Sequence, residues 1–218
     1  MAADRTAAHY LAHVMRRRQG DEVLLFNGRD GEFAGEIAAI DRNAVAFSLR
    51  ARTRPQAQGA DCWLCFAPVR RDATEMIVQK ATELGVAELR PVLTARTQTR
   101  HVNRERLFAI AREAAEQSER LTVPGIAEPM PLKSLLSGWP SARTLIVAAE
   151  RRDAPPLAPH PPPSALLIGP EGGFAPEELD ALAAHPFVSL TSLGPLILRA
   201  ETAAIAGLAR MLAGTTPP

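Results

Sequence analysis

Lysine is almost absent: the 218-residue chain has only Lys80 and Lys133, so nearly all of its 25 basic side chains are arginines. Against 24 acidic residues this leaves a formal net charge of +1, which excludes a polycation that holds nucleic acid by overall charge; any such contact has to be local. No apolar run approaches the ~20 residues of a membrane-spanning helix. The start, Met1 to Arg5, lacks the charged-then-apolar pattern of a secretory leader. A cytoplasmic protein with no membrane partner is expected. The two cysteines, Cys62 and Cys65, form a lone C-x-x-C inside an apolar stretch. Without a second pair, and without a helix start beside them, they read as buried structural thiols, neither a redox couple nor half of a zinc site. Missing as well are the G-x-G-x-x-G of dinucleotide sites and the G-x-x-x-x-G-K-[ST] of triphosphate sites, which argues against a nucleotide-dependent oxidoreductase or an NTPase.

What is present is an ordinary globular composition, 46% hydrophobic and 22% charged, at a length that suits one medium domain plus a small module. Residues 21 to 54 alternate apolar runs (Val23 to Phe26, Phe33 to Ile40, Ala44 to Leu49) with turns at Asn27 to Gly31 and Asp41 to Asn43. The spacing predicts a β-meander, with too few strands to close a barrel. Residues 1 to 71 hold eleven arginines against eight acidic residues, including consecutive Arg16, Arg17 and Arg18. This triplet reads either as an RNA phosphate contact or as ordinary surface charge. His9 and His13 have helical spacing but lack the Glu of H-E-x-x-H, and read as a surface helix face with no metal.

From residue 61 onward strands alternate with helical periods. Strands are predicted at Cys62 to Val69, Val86 to Leu93, Thr144 to Ala148, Ala165 to Gly169 and Val188 to Leu193. Helices are predicted at Ala73 to Leu84, Arg104 to Glu119, Pro176 to Ala184 and Ala200 to Leu212. This is the pattern of an α/β domain with a mostly parallel sheet. Asp72 and Glu75 resemble a capping box, Gly85 stands at a helix stop, and Asn103 is a candidate cap for the second helix. The stretch Asp153 to Ser164, with six prolines, reads as a long surface loop.

Two segments carry the chemistry. Leu166 to Phe174, "LLIGPEGGF", is an apolar strand ending in a glycine-rich turn before the helix start at Pro176. Leu193 to Ala203, "LGPLILRAETA", repeats that logic at a later strand end. Neighbouring loops of this kind at the carboxyl edge of a parallel sheet form a ligand crevice, and an apolar loop rich in backbone amides suits an adenosine better than a polyphosphate.

These two segments, with "KATELGVAELRPVLTART" from Lys80, "AAEQSER" from Ala114 and "GDEVLLFNGRDGEFAGEI" from Gly20, resemble the RsmE family of 16S ribosomal RNA uracil-N3 methyltransferases along nearly the whole chain. The resemblance implies a PUA-like β RNA-binding domain at residues 1–56. It implies a SPOUT methyltransferase domain at residues 57–218, with a deep trefoil knot at its C-terminal end. It further implies a homodimer, S-adenosyl-L-methionine as cofactor, and 16S rRNA in the small ribosomal subunit as partner, with neither DNA nor metal involved. By position, the cofactor pocket would comprise Thr94; Leu167, Ile168, Gly169, Pro170, Glu171, Gly172 and Gly173; and Leu193, Gly194, Pro195, Leu196, Ile197 and Leu198. Family members carry about one more strand pair before the segment that starts here at His9, so the β module is expected to be N-terminally incomplete. Arg199 is the candidate to stabilise charge on the uracil oxygens, and Glu201 to orient it or accept the proton; a helix-start salt bridge is the other reading of the pair. Glu171 either contacts substrate or satisfies its own turn. A non-catalytic RNA-binding assembly factor of the same fold is the alternative function, separable by cofactor binding.

Overall fold

A computed structural model describes residues 2–3, 8–57, 59–150 and 152–213. The chain forms two compact units, Met1–Ala57 and Gln58–Pro218.

The first unit is an antiparallel sheet in the order β1-β4-β3-β2, built from β1 (Ala2–Ala3), β2 (Glu22–Phe26), β3 (Glu32–Ile40) and β4 (Val45–Arg54). The three longer strands follow the predicted meander; β1, a pair of alanines, carries no strand signal in the sequence. In the turn between β2 and β3, Asn27 Oδ1 accepts the N–H groups of Arg29 and Asp30. Gly31 has φ +89°, and a Cβ there would lie 2.3 Å from the Arg54 carbonyl oxygen, so only glycine fits. Ala8, Ile37, Val45 and Phe47 form the core. Glu32 is buried beside it, and its hydrogen bonds to the Arg54 guanidinium, together with one from Thr53, hold its carboxyl below the usual range. His9 and His13 are exposed on and beside a π-helical turn at Tyr10–Val14, as the surface reading expects. Arg16, Arg17 and Arg18 are exposed, Arg16 with a left-handed φ of +54°.

The second unit is a parallel sheet in the order β11-β9-β10-β5-β6-β7, with β8 also paired to β6. Its strands are β5 (Cys62–Phe66), β6 (Glu88–Leu93), β7 (Gly125–Ile126), β8 (Met130–Pro131), β9 (Thr144–Ala148), β10 (Ser164–Ile168) and β11 (Val188–Thr191). The helices are α1 (Arg71–Glu83), α2 (Arg104–Gln117), α3 (Leu132–Ser137), α4 (Pro176–Ala183) and α5 (Ala200–Met211). Because strand side chains alternate, the sheet buries two faces. Leu64, Phe66, Ile146, Leu166 and Ile168 meet α1, α2 and α5 through Ile77, Leu107, Ala204 and Leu208. Cys65, Leu145, Val147 and Leu167 meet α3 and α4 through Leu135 and Leu182.

Cys62 and Cys65 therefore sit in opposite cores, which their three-residue spacing on a strand dictates. Both are free and fully buried, and burial pushes both thiols up to about 12. They are expected to resist alkylation at pH 8 in the native protein and to react fully once it is denatured, as a mass-spectrometric thiol count would register.

One sequence expectation is corrected. The first helix begins two residues earlier, with Arg70 at its cap and no side-chain cap. Asp72 and Glu75 thus lie inside the helix, and Glu75 instead pairs with Arg106 on α2 and with Arg71, which pull its carboxyl down to about 2. The proline-rich stretch is a surface loop, as expected, and it is tied down at two points: Leu157 N–H donates to Ser192 O, and Ser192 N–H donates to Pro155 O. It runs as an extended strap beside the end of β11, which stops at Thr191 where a longer strand is expected. Asn103 caps α2 as anticipated, accepting from Arg106 N–H, and Gly85, at φ +96°, ends the α1 turn. Helix α3 and strands β7 and β8 are too short to leave a periodic signal.

One half-buried cluster was not anticipated. The guanidinium carbons of Arg90 and Arg143 each lie 3.7 Å from the Trp63 ring centroid. Arg143 also donates to Asp61 O and Ser164 O and pairs with the Asp61 carboxylate at 2.6 Å.

Candidate cofactor cleft

The cleft opens at the carboxyl ends of β9, β10 and β11, the edge where open α/β sheets bind ligands. It encloses about 510 Å³ including its open mouth. The wall is built from three strand ends and one helix start. Ala148, Ala149 and Glu150 close β9; Ile168, Gly169, Pro170 and Glu171 follow β10; Leu193, Gly194, Leu196, Ile197 and Leu198 follow β11; Ala200 and Ala203 come from α5.

Backbone geometry explains why these loops are glycine-rich. Gly173 has φ +67°, and a Cβ there would lie 2.5 Å from Glu150 Oε1; a Cβ on Gly169 would press on the Phe174 ring at 3.1 Å. The turn closes through Gly173 N–H to Pro170 O. Gly207 lets α5 approach β10, since a Cβ there would meet Leu166 at 2.6 Å.

The glycine loop is held from outside. Arg96 Nη1 donates to Gly172 O at 2.7 Å. Glu178 accepts Ala95 N–H at 2.7 Å and Ala175 N–H at 2.9 Å, so one carboxylate links the start of α4 to the loop after β6. At the other loop, Arg210 Nη1 donates to Leu193 O at 2.9 Å. Leu196 and Ile197 stand out of the second loop, 73% and 71% exposed.

The sequence-predicted positions divide accordingly. Ile168, Gly169, Pro170, Glu171, Leu193, Gly194, Leu196, Ile197 and Leu198 lie together on the wall. Leu167 points into the opposite core, while Gly172, Gly173 and Pro195 shape the loops without forming the wall. Thr94 is buried at the end of β6, where its N–H donates to Thr97 Oγ1, and it too lies off the wall. Arg199 stands at the N-cap of α5, exposed, and its guanidinium makes no ion pair or hydrogen bond among the described residues; the carboxylate of Glu201, half-buried in the first turn, makes none either. The helix-start salt bridge is thus not formed within this chain's described residues. Glu171 makes no hydrogen bond to its own turn among the described residues, where Gly173 N–H is given to Pro170 O.

Sequence reasoning missed Ala148, Ala149, Glu150, Ala200 and Ala203. The signal available was the strand at Thr144 to Ala148, whose end joins the same sheet edge once the strand order is known. The two ionisable side chains of the wall, Glu150 and Glu171, are both acidic. An apolar wall with exposed backbone and only negative charge fits a neutral or cationic adenosine derivative and repels a polyphosphate.

Comparison with known proteins gives the same answer independently. A family described as RNA methyltransferase domain matches residues 56–212, and one described as RNA methyltransferase PUA domain matches residues 3–49. Ribosomal RNA small subunit methyltransferase E of Rickettsia conorii is 34% identical over 207 residues, covering 93% of this chain and 85% of the relative. The crystal structure of the Neisseria gonorrhoeae protein of that name, bound to S-adenosyl methionine, is 27% identical, with a TM-score of 0.87 over 98% of this chain and 92% of the other. The putative methyltransferase Lpg2936 of Legionella pneumophila, in complex with the same cofactor, is 30% identical, with a TM-score of 0.84 over 98% and 91%. The chain belongs to the RNA methyltransferases, in the family of ribosomal RNA small subunit methyltransferase E.

Proposed function

We propose that the protein transfers the methyl group of S-adenosyl-L-methionine to N3 of a specific uracil in 16S rRNA of the small ribosomal subunit. The observation that carries this reading is the cleft itself: glycine-rich backbone, apolar side chains and only acidic charge at the carboxyl edge of a parallel sheet. The cofactor supplies an activated methyl group on a sulfonium, so the protein's part is to position and to manage charge.

The uridine is swung out of any pairing before its N3 can reach the cleft. As N3 gives up its proton, negative charge spreads to the two uracil carbonyl oxygens. Arg199 stands beside wall residues Leu198 and Ala200 with an unengaged guanidinium, at a helix start that has no side-chain cap. Its charge and the first amides of α5 stabilise those oxygens. Glu201, in the first turn of α5, orients Arg199 or accepts the proton. Arg16, Arg17 and Arg18 contact RNA phosphates from the PUA-like unit, residues 1–56, leaving residues 57–218 as the SPOUT methyltransferase domain; this division is part of the proposal. The same reading includes a trefoil knot in the loops around the cleft, a homodimer that covers Leu196 and Ile197, and a cytoplasmic location.

Arg199→Ala is expected to lower the single-turnover methylation rate by about 100-fold or more while leaving cofactor affinity within twofold. A normal rate would remove Arg199 from the reaction. In cells, deleting the gene should abolish N3-methyluridine in 16S rRNA, and re-expression should restore it; rRNA that keeps the modification after deletion would contradict the function.

A further inference from the structure

Beyond its share in the wall's negative charge, Glu150 holds a specific position. It closes β9, lines the cleft and is solvent-exposed, and its carboxylate makes no hydrogen bond or ion pair among the described residues. Its place against the glycine loop depends on a missing side chain, since Oε1 lies 2.5 Å from where a Cβ on Gly173 would be. The carboxylate thus rests over the backbone of the turn, beside wall residues Gly169 and Pro170. A carboxylate in such a spot would ordinarily take a turn amide, but the Gly173 N–H is already given to Pro170 O. Among the described residues, Arg96 is spent on Gly172 O, and Arg152 pairs with Asp180 on α4.

A negative charge at the cleft gives a cationic ligand a Coulomb advantage there over a neutral one. S-adenosylmethionine brings one that its product lacks. Methyl transfer breaks the S–CH3 bond and leaves the electron pair on sulfur, so the sulfonium cation becomes a neutral thioether; the compensating proton leaves from the uracil nitrogen. The ammonium and carboxylate of the amino-acid end are the same before and after.

We infer that Glu150 is the residue through which the cleft distinguishes the charged methyl donor from its neutral product, by placing its carboxylate toward the sulfonium. Glu150 holds the donor more tightly than the product and releases S-adenosylhomocysteine after transfer. Glu171, further along the loop and also exposed, adds general negative potential but lacks the seat that Gly173 provides. The inference rests on the cofactor assignment and is independent of which uridine is modified.

The test is isothermal titration of the full-length protein with S-adenosylmethionine and, separately, S-adenosylhomocysteine, in the wild type and Glu150→Gln, which keeps the shape and removes the charge. Melting temperatures establish that both are folded. Glu150→Gln is expected to weaken S-adenosylmethionine about tenfold, the size of one partly screened charge contact, and to change S-adenosylhomocysteine by less than twofold. Equal weakening of both ligands would overturn the inference, because it would place Glu150 on the shared amino-acid or adenosine part. Unchanged binding of both would overturn it too. A wild-type protein that binds neither ligand would instead refute the cofactor assignment on which the inference stands.

Discussion

Gly173→Val is expected to abolish measurable S-adenosylmethionine binding, weakening it by at least 100-fold, while the protein stays folded. Two costs arise at one position. The backbone sits at φ +67°, a region that costs an L-residue about 1–2 kcal/mol and a β-branched one more. The added Cβ would also fall 2.5 Å from Glu150 Oε1. The Glu150 side chain can swing away, so the clash alone is survivable, but the turn closed by Gly173 N–H to Pro170 O then has to reopen. That turn sets the backbone of Gly169 and Pro170 along the wall. The lesion is local because Arg96 and Glu178 anchor the neighbouring residues to the loop after β6. The measurements are titration calorimetry for the ligand and a thermal melt for the fold. Retained affinity within threefold of the wild type would show that the loop's backbone path is not what forms the site.

Arg143→Ala is expected to cost about 3 kcal/mol of stability, lowering the melting temperature by roughly 6–12 °C. The side chain is 8% exposed. Its removal takes the guanidinium donor from the carbonyl oxygens of Asp61 and Ser164; Asp61 O keeps the Ser164 N–H, so the larger loss, about 1–3 kcal/mol, falls on the buried Ser164. It also strips one guanidinium from the face of Trp63. The paired Asp61 carboxylate is 56% exposed, so the lost ion pair itself adds little. Arg143→Lys should recover only part of the loss, because an ammonium cannot serve the carbonyls and stack on the indole together. The cluster lies at the start of β9, before Thr144, whereas the cleft lies at the strand's other end; cofactor affinity below the transition is therefore expected to be unchanged. A melting temperature within 2 °C of the wild type would contradict this account of the cluster.

Much of this architecture was legible in the residues, and for identifiable reasons. The long strands and helices declare themselves by periodicity, and Asn103, Gly85 and the Asn27–Gly31 turn declare their ends by side-chain chemistry. The two glycine-containing loops stand at strand ends in the sequence, so their place on one sheet edge follows from parallel topology. Strand order was not legible. Nothing local in Thr144 to Glu150 indicates that β9 lies between β10 and β11, and without that order Glu150 does not belong to the site. Thr94 illustrates the converse: its motif marks it, but its N–H and hydroxyl are engaged by Thr97. The capping reading of Asp72 and Glu75 failed because a tertiary partner, Arg106 on another helix, outcompeted a local one. The Arg90–Trp63–Arg143 stack joins three segments distant in sequence, and no pattern within any one of them announces it.

The most direct test of the functional account is methyl transfer from labelled S-adenosylmethionine to small ribosomal subunits that lack the modification, with the labelled nucleoside identified by mass spectrometry. The account predicts label in N3-methyluridine from 16S rRNA alone. Label on a ribose, on another base position or on another RNA, or no transfer by protein that binds the cofactor, would contradict it.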